Sequence, residues 1–162
     1  MIAAAVPYDQ FRTLWEARYQ EAVHCDRLKT KPGAKTLLAH IAQLGLPTAL
    51  ATSSSRGKAC AKLERTNLLH YFSVIVGGDQ VTNSKPDPEI YLTAAQKLNV
   101  NPRACLALED SENGVKAAHT ANMTVIQVPD LVPPSFALRQ LGRRIIECLS
   151  HVPHIKFNAG LG

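Results

Sequence analysis

Residues 104–128 read ACLALEDSENGVKAAHTANMTVIQV, and the alternation inside this stretch decides the fold. ACLALE (104–109) is an apolar run closed by acids, Ser111 to Asn122 carries helical spacing, and TVIQV (124–128) is apolar again. An apolar run without polar alternation suits a strand covered on both faces, and strand–helix–strand implies a parallel pair joined by a crossover. The same rhythm continues on either side. PTALAT (47–52) and SVIVG (73–77) read as strands around a helical stretch from Ser55 to Asn67. Residues 87–98 are helical, with Pro86 and Pro88 tolerated only near the start. Upstream, Pro32-Gly33 opens the helical AKTLLAHIAQL, which Gly45 closes, and YDQFRTLWEARYQEAVHC (8–25) has amphipathic helical spacing. A last helix is expected over Ser135–Leu149. The expected fold class is α/β, a Rossmann-like parallel sheet with helices on both faces.

Right-handed crossovers place every strand's carboxyl end on one edge, where open α/β sheets take their ligands. Each of three strands here is followed by a polar cluster: Thr52-Ser53-Ser54, Ser84-Lys85-Pro86-Asp87-Pro88, and Glu109-Asp110-Ser111. A hydroxyl, an ammonium and a carboxylate pair are what magnesium-assisted phosphoryl transfer requires, because that chemistry is chiefly positioning and charge neutralisation. Thr52 offers a hydroxyl, and the backbone N–H groups of Ser53 and Ser54 lie where a helix begins. Lys85 is restricted by Pro86 to an extended backbone and aims a point charge from a rigid loop. Glu109 and Asp110 are hard oxygen donors of the kind Mg²⁺ prefers. The plainer roles are helix caps for Thr52, Ser53, Ser54, Asp110 and Ser111, and a surface lysine for Lys85.

The 162 residues are 46% hydrophobic and 19% charged, enough for one domain with a core. No apolar run approaches the ~20 residues of a membrane span, and MIAAAV lacks the length and basic flank of a secretory signal. Four widely spaced cysteines without Cys-x-x-Cys argue against a disulfide framework, so a cytoplasmic location is the expectation. The net charge of +5 does not imply nucleic acid, since the basic residues are scattered and aromatics are only 6%. Neither Gly-x-Gly-x-x-Gly after a strand nor GxxxxGK[ST] occurs, Gly77-Gly78-Asp79 reads as a turn, and His151-x-x-His154 lacks a third metal ligand. A phospho-receiver domain is set aside on order, because there the acid pair precedes the hydroxyl and lysine.

The order Thr52, then Lys85 in SKPDPEIY (84–91), then LEDSENG (108–114) resembles motifs two to four of the haloacid dehalogenase-like (HAD) superfamily. The β-phosphoglucomutase-like and sugar-phosphate phosphatase branch is the nearest match, over roughly residues 31–134, with KPGA (31–34) similar to the re-entry from cap to core. The resemblance implies that Thr52 and Lys85 bind the phosphoryl group and that Glu109 and Asp110 hold Mg²⁺. It makes residues 1–30 the remnant of a helical cap, 31–150 the core and 151–162 a tail, and gives a small phosphorylated metabolite as substrate, with no nucleic acid or membrane partner.

One motif departs from the pattern. The family's first motif, Asp-x-Asp, supplies nucleophile, acid/base and a metal ligand, and it is absent from these 162 residues. The sequence resembles an N-terminally truncated member, expected to be inactive by itself or kept as a phosphate-binding or protein-interaction module. In the family the first strand lies between those corresponding to 47–52 and 104–108. Its absence is expected to open the sheet to self-association, or to be covered by Ile2–Val6 or a segment of another chain.

Overall fold

Helix α1 (Ala34–Gln43) starts from Gly33 at φ 79° and ends at Leu44, after which Gly45 at φ 67° turns the chain away. Left-handed backbone at both ends is cheap only for glycine. At Gly33 a side chain is also excluded by space, because a Cβ would lie 2.5 Å from the backbone nitrogen of Ser150. The computed structural model describes residues 28–129 and 144–154, together with Asp9, Arg12, Thr13 and Ala17.

Strand β1 (Ala49–Ala51) pairs in parallel with β2 (Val74–Val76), and the Thr52 N–H donates to Val76 O at 3.0 Å beyond the last rung. Helix α2 (Arg56–Arg65) connects them, with the Ser55 side chain accepting from Lys58 N at 3.4 Å as its cap. Helix α3 (Glu89–Leu98) follows the Lys85 loop and ends on Asn99 in the left-handed conformation. Strand β3 (Leu106–Glu109), helix α4 (Glu112–Thr120) and strand β4 (Thr124–Gln127) form the crossover read from residues 104–128. Strands β3 and β4 pair in parallel from Leu106 with Thr124 to Glu109 with Gln127. Val76, Ile90, Val115, Ala117 and Ala118 are in the core cluster, each at most 2% exposed, so the helices seal the strands as the unbroken apolar runs require.

The described strands form a pair, β1–β2, and a trio in which β5 (Arg144–Ile145) joins β3 and β4, and β1 and β3 share no ladder. β1 and β3 are the two strands that the resemblance marks as flanking the family's first strand. Ile2–Val6, the segment expected to take that strand's place, lies outside the described residues, as does most of the helix expected over 8–25. Asp9, Arg12, Thr13 and Ala17 are helical, with the Thr13 hydroxyl donating to Asp9 O at 2.8 Å.

One expectation is corrected. The helix read over 135–149 does not hold at its end, because Arg144–Ile145 is a strand, β5, paired in parallel with Ile126 and Gln127 of β4. The cause is tertiary: β4 has an open side, Ile146 N–H donates to Gln127 O at 3.0 Å, and β-branched Ile145 and Ile146 suit a pleated edge. Residues 135–143 lie outside the described residues. The chain then forms a short 3₁₀ turn, Leu149–His154, that buries Val152 and lies against Gly33. Among the described residues no helix is long and apolar enough to cross a membrane.

Candidate functional site

The carboxyl ends of β1 and β3 are tied together by one side chain. Lys85 Nζ donates to Ala51 O, at the end of β1, at 3.1 Å and forms an ion pair with Glu109 Oε1, at the end of β3. Lys85 therefore joins the ends of β1 and β3, and the clusters headed by Thr52, Lys85 and Glu109 share one edge, as the topology requires.

The Glu109 carboxylate is almost fully engaged. Oε1 accepts from Lys85 and from the Tyr91 hydroxyl, and Oε2 accepts from Ser111 Oγ at 3.2 Å. Ser111 Oγ in turn accepts from Gly114 N at 3.1 Å and caps α4. Burying two charges is costly unless geometry and further hydrogen bonds repay the lost water. Here the side chains of Lys85 and Glu109 are 10% and 8% exposed, and every described buried side-chain nitrogen or oxygen has a partner. Gly114 is required by space, because a Cβ there would strike the Glu109 carboxylate. The Tyr91 phenol is pushed well above its ordinary value, first by burial and then by the Glu109 charge, so it remains a proton donor.

Thr52 and the serines divide their roles. Thr52 Oγ1 accepts from Ser54 N at 3.2 Å, which leaves the Thr52 proton free to be donated and commits the Ser54 amide within the loop. The Ser54 N–H expected to face an anion is held by Thr52 Oγ1 in this structure, and the helix cap is Ser55. The turn at Gly77-Gly78-Asp79 has a part the sequence did not reveal. Asp79 Oδ1 accepts from Arg56 N at 2.8 Å, and Gly78 N–H donates to Ser54 O at 2.9 Å, fastening the Thr52 loop to the end of β2. A Cβ on Gly78 would come within 2.5 Å of Ser53 O.

The Lys85 loop is clasped by a carboxylate as well. Glu89 accepts from Thr82 N at 2.8 Å and from Asn83 N at 2.7 Å, while Asp87 Oδ1 accepts from Glu89 N at 2.9 Å at the head of α3. Those bonds, Thr82 first and Asn83 second, hold the Glu89 carboxyl below its ordinary value. A depressed folded value stabilises above the unfolded value and is lost as pH falls through the folded one. Amide exchange at Thr82 and Asn83 is therefore expected to stay slow at neutral pH and to accelerate on acidification below the ordinary glutamate range. Equal exchange at both extremes, after allowance for intrinsic rates, contradicts the clasp.

The two carboxylates expected to hold a metal end the same strand in different surroundings. Glu109 uses its oxygens on Lys85, Tyr91 and Ser111, whereas Asp110 is exposed at the same strand end. Among the described residues no group of three or more His, Cys, Asp or Glu side chains gathers. Mg²⁺ commonly takes only one or two protein carboxylates and completes its shell with water and phosphate. The Glu109–Asp110 pair offers that minimum, with Glu109 also serving as the counter-ion of Lys85.

Several known proteins are similar to this chain. It is 44% identical over 107 residues to the bifunctional riboflavin kinase/FMN phosphatase of Arabidopsis thaliana, covering 65% of this chain and 28% of that protein. It is 42% identical over 104 residues to a phosphorylated carbohydrates phosphatase of Thermotoga maritima, covering 64% of this chain and 48% of that protein. The chain thus spans less than half of either relative. The crystal structure of CbbY from Rhodobacter sphaeroides in complex with phosphate superposes with a TM-score of 0.74 at 28% identity, covering 92% of this chain and 67% of that one. Residues 4–128, which carry all three clusters and the strands that aim them, match the haloacid dehalogenase-like hydrolases, and the chain belongs to that family.

Proposed function

We propose that this chain is the phosphate- and metal-binding core of a Mg²⁺-dependent phosphatase or phosphomutase acting on a small phosphorylated metabolite of the sugar phosphate class. The observation that carries the reading is the Lys85 ammonium, held by Ala51 O and Glu109 at the edge where Thr52 has a hydroxyl proton to give. In this reading the Thr52 hydroxyl, the Ser53 N–H and Lys85 bind the phosphoryl oxygens, and Glu109 and Asp110 hold Mg²⁺. Bound Mg²⁺ would offset the charge on those oxygens. Relatives named as phosphatases of phosphorylated carbohydrates and of FMN, and a phosphate-bound neighbour, support the class.

A non-catalytic phosphate-binding or protein-interaction module is the second reading. Its support is specific: the 162 residues hold no Asp-x-Asp, so this chain brings no counterpart of the family's nucleophile. The first reading takes a small phosphorylated molecule as partner and the second takes phosphate or a protein, neither with nucleic acid or membrane, and self-association through the edges of β1 and β3 that no described strand covers belongs to either. The described cysteines Cys60, Cys105 and Cys148 are free thiols, which suits the cytoplasm.

Calorimetric titration with inorganic phosphate, with and without Mg²⁺, tests the site itself. Binding is expected to strengthen with Mg²⁺ and to weaken about tenfold or more in Lys85→Ala, the scale of a charge-assisted hydrogen bond. Equal heats for the unaltered chain and the variant would end the proposal.

A further inference from the structure

Tyr91 stands in the first turn of α3 and is 7% exposed, within the core cluster. Its surroundings are polar. The hydroxyl donates to Glu109 Oε1, Lys85 Nζ lies 3.3 Å from the same hydroxyl oxygen, and the ammonium sits 4.8 Å from the ring centroid. Tyr91 Oη and Glu109 Oε1, hydrogen-bonded to each other, approach the ammonium from one side, and Ala51 O accepts from it at 3.1 Å.

We propose that Tyr91 is a positioning residue for Lys85, acting through Glu109. The importance of that role rests on reading Lys85 as the anion-binding cation. A carboxylate held only by a lysine is free to turn, because the lysine stem is long and its donors rotate. Tyr91 on Oε1 and Ser111 on Oε2 grip the Glu109 carboxylate from both ends and fix its plane. A fixed carboxylate fixes the place of the ammonium at the strand end. The grip joins four elements, since Ser111 is bound to α4, Glu109 ends β3, Tyr91 opens α3, and Ala51 ends β1.

Tyr91→Phe isolates the hydroxyl, because the ring, its packing and its face toward the ammonium remain. The readout is competitive acylation of lysines by acetic anhydride, followed by mass spectrometry, with exposed Lys97 and Lys116 as internal references. In the unaltered chain Lys85 should be the slowest of the three. In Tyr91→Phe it should label about tenfold faster, the factor that loss of one hydrogen bond supplies. A hydroxyl that only fills space leaves the rate unchanged, and that result overturns the proposal. In Glu109→Gln, Lys85 should label fast, and adding Tyr91→Phe should change nothing further; additive effects contradict action through Glu109. If Tyr91→Phe fails to fold, the unaltered chain still decides, since Lys85 labelling as fast as Lys116 defeats the idea. Added phosphate separates the two claims. Failure of phosphate to slow Lys85 labelling counts against the anion site and leaves the Tyr91 coupling standing.

Discussion

Glu109→Ala is expected to cost about 3–5 kcal/mol of folding stability, because it leaves a desolvated ammonium with no counter-charge. The Lys85 side chain is only 10% exposed, and Ala51 O and the Tyr91 hydroxyl are neutral acceptors that cannot replace a carboxylate. The same substitution removes a bridge between two groups of described strands that share no ladder. Urea denaturation of the unaltered chain, Glu109→Ala and the double change Lys85→Met with Glu109→Leu measures this. The double variant should regain most of the loss, since replacing both members of a buried pair by apolar groups is often neutral or better. A loss below about 1 kcal/mol in Glu109→Ala is the size of a surface pair and would mean that water reaches Lys85.

The second large effect concerns turnover. These 162 residues are expected to hydrolyse p-nitrophenyl phosphate with Mg²⁺ no faster than buffer, because they hold no Asp-x-Asp. Removing a covalent nucleophile costs about a millionfold where it has been isolated, whereas Thr52, Lys85 and Asp110 supply only binding and charge neutralisation. A steady-state assay of the chain beside Lys85→Ala decides the matter. Robust turnover that disappears in Lys85→Ala would show that another group in this chain attacks phosphorus.

How far the sequence could be read depended on whether a feature was local. The strands and helices of residues 31–128 were legible because an apolar run and a capped helix declare themselves within a short stretch of chain. Ser111 illustrates this, as one residue that ends a turn and caps α4. Lys85 was legible for a similar reason, since a lysine held between a strand end and prolines has few plain uses. Roles that depend on a distant partner were not legible. The resemblance gave Glu109 a metal-binding role, and its further partners Lys85 and Tyr91 emerge only once the chain is folded. Asp79 looked like part of a turn, and its hydrogen bond to Arg56 N spans 23 positions in the chain. Helical spacing misled at Arg144–Ile145 because a two-residue edge strand carries almost no period, and the open side of β4 decided its conformation. The lack of a ladder between β1 and β3 could be expected only through the family resemblance, since no composition or periodicity marks which strands are neighbours.

The central claim is that the Thr52 loop, Lys85 and the Glu109–Asp110 strand end form one anion-binding pocket. Backbone-amide NMR of the chain during titration with inorganic phosphate tests it most directly. The shifts are expected to concentrate together on residues 52–54, 84–85 and 109–111 and to share one saturation curve, and Lys85→Ala should abolish them. Shifts at only one of these segments, or different saturation curves at each, would contradict a common site.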